Sequence, residues 1–335
     1  MWRARLRPRL YAGSDAHELN PKLHMNYILI TPARNEEAFI GRTLESVVAQ
    51  THLPLRWAIV DDGSTDRTAA IVREFSAKHP WIVLLQRPPR AERNFAGKVE
   101  AVNAALETVK DLRFEVVGNL DGDVSFGPDY MEFLLQKFEQ DARLGVAGTP
   151  FTQDGGYDST RDSFEGENYV AGPCQMFRYR CFQEIGGYVA NPAGGVDWIA
   201  VMTARMKGWT VTAFPEKRFH HHRSMGTAER GEVSASFSYG QKDYYLGGSP
   251  VWQLVRGTYR MTKKPLVVGG LALLLGYAWA AVRQVKRPVT DELVRFHRHE
   301  QMKKLKAVAR SLMSLKKPDA FRVAQSGSRA EGADL

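Results

Sequence analysis

From Asn26 to Leu120 the chain alternates short apolar runs with stretches of helical periodicity. Residues 27–30, 57–60, 81–85 and 114–120 read as buried strands, short and bounded by turn-forming residues. Between them Ile40, Leu44, Val47 and Val48, then Ile71, Val72 and Phe75, then Val99, Val102, Ala105, Leu106 and Val109 fall at helical spacing. Strands joined through helices need right-handed crossovers. They predict an α/β fold with a Rossmann-like, mostly parallel sheet and helices on both faces. Ligands of such sheets sit outside the carboxyl ends of the strands.

Those strand ends carry the polar residues. The first closes on Thr31-Pro32-Ala33-Arg34-Asn35-Glu36-Glu37, which also suits a helix start with Asn35 as cap and two acids on the helix dipole. The second closes on Asp61-Asp62-Gly63-Ser64-Thr65-Asp66. A turn and a capped helix would account for it, but a carboxylate here can also accept from a nucleobase N–H or a ribose hydroxyl. The fourth closes on Asn119-Leu120-Asp121-Gly122-Asp123. Side chains two apart on an extended chain share a face, so Asp121 and Asp123 can converge on one hard cation such as Mg²⁺ or Mn²⁺. A plain Asp-Gly turn is the alternative. Lys98 lies near a helix start, against the dipole, and an anionic ligand explains it better than helix stability does.

Composition narrows the classes. A chain of 335 residues allows one large domain or two small ones, and 44% hydrophobic with 25% charged residues excludes a disordered, collagen-like or polytopic membrane protein. Cys174 and Cys181 are the only cysteines, which excludes a disulfide framework and a cysteine-rich zinc site. The net charge of +9 is concentrated at the ends. Residues 25–282 carry 28 Lys/Arg against 29 Asp/Glu, whereas 283–317 carry 11 against 3 and 1–24 carry 5 against 2. A neutral body argues against nucleic acid as a partner, and basic ends suit an anionic surface.

Together the four strand-end motifs, with Asn94 to Lys98, resemble those of the family-2 glycosyltransferases of GT-A fold, over about residues 26–225. The resemblance implies an inverting, membrane-associated bacterial enzyme. Pro32 and Arg34 would line the base pocket, with Glu36 beside them on the donor side, and Asp62 would contact the donor's base or ribose. Lys98 would face its base or phosphates. Asp121 would reach the ribose or the metal-bound water, and Asp123 the metal, Mg²⁺ or Mn²⁺. The family's catalytic base belongs to an acidic pair ahead of a helix. Here Val196 replaces the first acid, which leaves Asp197 as the base. A further metal ligand often follows the last core strand, and within His220-His221-His222 either His221 or His222 fits.

The implied activity is transfer of a sugar from a nucleoside-diphosphate sugar (UDP or GDP type) to a glycan or lipid-linked acceptor in cell-envelope or exopolysaccharide assembly. Alternatives are a polyprenyl-phosphate sugar synthase and an inactive sugar-nucleotide-binding relative. A sugar-nucleotide pyrophosphorylase would need a Gly-rich basic loop after the first strand, which 32–35 is not. The expected layout is a basic arm or start-site extension at 1–24, a GT-A domain at 25–240, a helical region at 241–318 and a disordered tail at 319–335. Residues 152–168 read as a mobile loop and candidate lid. Residues 265–282 have no charge and are just long enough to span a bilayer. Their glycines and doubly basic flanks fit an interfacial or packed helix equally. A basic amphipathic stretch at 291–317 suits anionic lipid. The expected location is the cytoplasmic face of the membrane.

Overall fold

The computed structural model describes residues 25–88, 96–154, 156–162, 168–191, 194–223, 231–263 and 265–313. The N-terminal arm, Asn94 and Phe95, and the C-terminal tail lie outside them.

A seven-stranded sheet organises the body. Its strands are β1 (Tyr27–Ala33), β2 (Arg56–Asp61), β3 (Ile82–Gln86), β4 (Val116–Leu120), β6 (Leu144–Gly148), β8 (Cys174–Arg178) and β9 (Thr210–Ala213), in spatial order β3-β2-β1-β4-β8-β6-β9. The first four pair in parallel, as the strand–helix alternation predicts. Only β8 runs antiparallel to its neighbours β4 and β6. A second sheet of β5 (Val124–Ser125), β10 (Phe219–His221) and β7 (Phe151–Gln153) stands beside it, with β10 central.

Alternation along each strand feeds two cores. Tyr27 and Leu29 of β1 join Trp57 and Ile59 of β2 on one face, under α1 (Ile40–Val48), α2 (Thr68–Lys78) and α4 (Tyr130–Gln140). Ile28, Ile30, Ala58 and Val60 turn to the other face, under α3 (Ala96–Glu107), α6 (Tyr179–Glu184) and α7 (Val196–Met206). Burial on both faces explains why these strands are continuous apolar runs. Cys174 and Cys181 are free and buried, and burial pushes both thiols up to about 12.

Two sequence expectations change. Asn35 does not cap α1, whose N-cap is Phe39 without a side-chain bond. Asn35 takes a left-handed φ of 54° and reaches across to the loop after β2 instead. Within 152–168, Thr152 and Gln153 are ordered in β7, because β10 supplies a parallel partner, and α5 (Ser159–Asp162) adds a helical turn. Residues 163–167 of that stretch are outside the described residues.

Four helices complete the described residues: α8 (Glu232–Tyr245), α9 (Pro250–Met261), α10 (Val268–Val282) and α11 (Asp291–Met313). The helix α8 crosses residue 240 and packs on α10 through glycines. A Cβ on Gly240 would overlap the Leu273 carbonyl, and one on Gly276 the Phe237 carbonyl. Among the described residues, no helix is long and apolar enough to cross a membrane. Trp198, Ile199 and Met202 of α7 pack with Tyr245, Leu246 and Leu293, which roots this helical block on α7.

Candidate active site

The loops after β1 and β2 clip each other in place. The Asn35 amide donates to Ser64 Oγ at 3.0 Å, and the Thr65 amide donates to Asn35 Oδ1 at 2.9 Å. Glu37 and Asp66 each accept from the other loop's backbone, from Arg67 and Glu37 respectively. The paired acids divide their work. Asp61 holds the turn, accepting from the Ser64 amide at 2.9 Å and Gln86 Nε2 at 3.3 Å. Asp62, mostly buried, extends the β1–β2 ladder with its amide on the Ala33 carbonyl and pairs with Arg87 at 3.1 Å. Pro32 and Arg34, both half-buried, lie at this same strand end.

At the end of β4, Asp121 and Asp123 take different partners. Lys98, in the first turn of α3, donates to Asp121 Oδ1 at 2.8 Å. The anion beside this lysine is therefore a carboxylate of the chain itself. Burial opposes the Lys98 charge, but Asp121, Asp197 and Asp123 together outweigh it and hold its pKa above that of an ordinary lysine. Asp123 is buried. Burial would raise its carboxyl, yet His221 and Arg223 prevail and hold it below the usual range. Its Oδ1 accepts no well-formed hydrogen bond, and His221 Nε2 stands 3.3 Å away.

Strand register makes that contact. Pairing of β10 with β5 sets His221 opposite Val124, and the His222 amide donates to the Asp123 carbonyl at 2.8 Å. Alternation then turns His220 and His222 to the other face. There His222 stacks on Phe39, and its Nδ1 faces Arg42 at 3.2 Å. A guanidinium only donates, so that Nδ1 accepts and Nε2 carries the proton shared with Ser125 Oγ at 2.9 Å. Asp154, His220 and His222 bring ligand atoms within 4.8 Å of one another, but Arg42 opposes a cation among them. Of the two candidate histidines, His221 is the one beside Asp123.

The pair fits a divalent ion. Two ligands about 2.1 Å from one ion at right angles stand about 3 Å apart, near the separation observed here. One adjustment is required. Gln153 Nε2 donates to the Arg223 carbonyl at 3.1 Å and lies 2.7 Å from His221 Nδ1, which places the ring proton on Nε2. A metal on Nε2 needs the opposite tautomer, with the Gln153 amide turned to accept from Nδ1.

Arg223, Arg87 and Gly172 are among the site residues missed from the sequence. Arg223 bonds Glu36 Oε2 at 2.5 Å and approaches Asp123 Oδ2 at 3.4 Å, so one guanidinium bridges two buried carboxylates. Arg87 holds Asp62. Gly172 leaves room for Asp197: a Cβ there would sit 2.8 Å from the Asp197 Cγ. Asp197 itself opens α7 after Gly195, whose φ of 81° begins the helix sharply, and Tyr169 donates to its Oδ2 at 3.5 Å. Its charge acts on Lys98, as do those of Asp121 and Asp123. Three carboxylates and one ammonium thus share one side of the sheet's carboxyl edge.

Residues 28–193 match the family model described as Glycosyl transferase family 2. The chain carries a family-2 glycosyltransferase domain. It is 34% identical over 119 residues to a chondroitin synthase of Escherichia coli, a match covering 35% of this chain and 16% of that protein. It is 31% identical over 117 residues to a poly-beta-1,6-N-acetyl-D-glucosamine synthase of Staphylococcus epidermidis, covering 35% and 26%. The chain thus spans well under two thirds of the length of these curated relatives. Its fold is similar to a mannosyltransferase of Pyrobaculum calidifontis in complex with GDP-Man and Mn²⁺, with a TM-score of 0.51, 16% identity and coverage of 95% of this chain and 91% of that one. The S. aureus TarS fragment 1–349 in complex with UDP-GlcNAc gives 0.50 at 14% identity, covering 91% and 92%. These likenesses show a GT-A fold for the family-2 domain.

Proposed function

We propose that the chain is a metal-dependent inverting glycosyltransferase that moves a sugar from a UDP- or GDP-sugar to a hydroxyl of a glycan or lipid-linked acceptor. One observation carries this reading: Asp123 presents a buried, unsatisfied oxygen to His221 at 3.3 Å, beside the Asp121–Lys98 pair. Polysaccharide synthases among the relatives, and neighbours crystallised with GDP-Man and Mn²⁺ or with UDP-GlcNAc, support a nucleotide-sugar donor.

Asp123 and His221 would hold Mn²⁺ or Mg²⁺, with Asp121 at the ribose or at a metal-bound water. When bound, the ion supplies Lewis-acid stabilisation of the departing diphosphate. Lys98 adds fixed positive charge on the same side. Asp62 and Arg34 orient the nucleoside between the β1 and β2 loops. Asp197 takes the proton of the acceptor hydroxyl as its oxygen attacks the anomeric carbon. The bond to the diphosphate oxygen breaks on the opposite face, which inverts the anomeric centre. General-base assistance of this kind contributes roughly 10²- to 10⁴-fold. The basic C-terminal region supports a location at the cytoplasmic face of a membrane.

The test is release of nucleoside diphosphate from UDP- and GDP-sugars with Mn²⁺, with glycan acceptors added and water as the default acceptor, in the wild type and in Asp197→Asn. Release that depends on the ion and falls by roughly 100-fold or more in the variant supports the reading. Donor binding without release, in the wild type itself, would favour the inactive relative.

A further inference from the structure

Among the described residues, the C-terminal helices leave a broad apolar surface uncovered. Glycines seat one side of α10 on α8 and α9, as Gly276 does at Phe237 and Gly270 at Met261. The other side bears Leu271, Leu275 and Trp279, which are 45–61% exposed. On α9 the same holds for Leu254, Val255 and Tyr259, at helical spacing and 43–58% exposed. The turn between the two helices adds Leu266, Val267 and Val268, all exposed. Val267 has a φ of 61°, strained for a β-branched residue, and the Val268 amide bonds back to the Leu266 carbonyl at 2.6 Å. The fold thus holds apolar side chains out into solvent at a tight turn. Patches of this extent mark interaction sites.

Charge identifies the partner. Between Asp243 and Asp291 the sequence has no acidic residue and seven Lys/Arg. Lys263 lies over the Tyr259 ring at 5.4 Å and Arg283 over the Trp279 ring at 5.7 Å, so cations flank the apolar stripe at both ends of α10. A second copy of the chain would bring like charges together. An anionic bilayer surface meets both demands, accepting apolar side chains and aromatic rings at its interface and basic ones at its phosphates.

We propose that the α9–α10 hairpin is a monotopic docking surface for anionic phospholipid. Leu266 to Val268, Leu275 and Trp279 enter the interface, and Lys263 and Arg283 meet the headgroups. No crossing of the bilayer is required. The inference rests on the membrane element of the proposed function but not on its chemistry, so vesicle binding and nucleoside diphosphate release are measured separately.

The experiment is co-sedimentation of the full chain with vesicles of phosphatidylcholine alone and of phosphatidylcholine with about 30% phosphatidylglycerol, an anionic surface of the kind that attracts basic segments. The wild type is expected to bind the mixed vesicles, weakly the neutral ones, and less as salt rises. Lys263→Gln with Arg283→Gln should weaken binding roughly 30-fold, as each basic side chain near the surface contributes a factor of about five. Leu266→Ser with Leu275→Ser should also release the protein. Both pairs are exposed, so thermal melting and nucleotide binding should hold. Binding equal on both vesicle types, or unchanged in both variants, would overturn the proposal. So would a wild-type dimer in sedimentation equilibrium that the leucine variant dissolves, since a second copy would then cover this face.

Discussion

Gly172 and Asp197 occupy the same space from two sides: any side chain at 172 would overlap the Asp197 carboxylate. The helix start at Gly195 fixes where Asp197 begins, and the bare backbone at 172 leaves room for its carboxylate. Gly172→Ala should therefore displace the carboxylate while the buried core stays intact. Turnover should fall by roughly tenfold or more, the scale on which a misplaced catalytic group acts. The KM for donor and the melting temperature should stay nearly unchanged. Steady-state kinetics beside a thermal melt checks it.

Lys98 and Asp121 form a partly buried pair at 2.8 Å, with side chains 20% and 32% exposed. Lys98→Met leaves Asp121 without its cation, close to Asp123 and Asp197. Hydrogen bonds to charged groups contribute about 1.5–3 kcal/mol, and partial exposure sets this one at the lower end, about 1–2 kcal/mol. Denaturant unfolding should show that loss. The linkage runs in one direction: a raised lysine pKa gives stability present below about pH 10.4, its unfolded value, and lost as pH rises through the higher folded value. The variant should lose less stability than the wild type on that alkaline limb.

Much of this site was legible because the parallel half of the sheet is local in sequence. Each strand of β1, β2 and β4 ends on its own motif, so Asp62, Asp121 and Asp123 could be placed from alternation alone. The strands β6 and β8 were not read: β6 follows α4, but Gly145 and Gly148 break its apolar run, and β8 is antiparallel and outside the strand–helix alternation. The second sheet was hidden for a related reason. Its strands β7, β5 and β10 are two or three residues long and meet from distant parts of the chain. The choice between His221 and His222 depends on the register of β10 against β5, which spacing cannot supply. Arg223 is one residue beyond that triplet, and its bond to Glu36 spans 187 positions. Gly172 left no signal, because its role is the space it leaves.

His222 offers a pH signature. Burial first, then the neighbouring charges of His220 and Arg42, depress its pKa. The unfolded chain, with a histidine pKa of about 6.5, therefore takes up a proton before the folded one. Stability present above about pH 6.5 is lost as pH falls through the lower folded value. His222→Gln keeps a donor for Ser125 and removes the titration. Its melting temperature should drop less than that of the wild type between about pH 7.5 and pH 5.

Gly276 faces the Phe237 carbonyl with no room for a Cβ. Gly276→Val should force α10 off α8 and cost about 1–3 kcal/mol, the range for overpacking a close contact. Nucleotide binding should persist, as the β-strand ends do not touch this contact. Differential scanning calorimetry with and without nucleotide separates the two effects.

The most direct test is thermal stabilisation by UDP, GDP, CDP and TDP, each with and without Mn²⁺, in the wild type, Asp123→Ala and Asp197→Asn. At about 100 times its dissociation constant a ligand adds about 2.7 kcal/mol to the folded state. Stabilisation by one nucleotide that needs the ion, vanishes in Asp123→Ala and survives in Asp197→Asn is the expected result. If no nucleotide stabilises the wild type in the presence of Mn²⁺ or Mg²⁺, the strand ends do not form a sugar-nucleotide site.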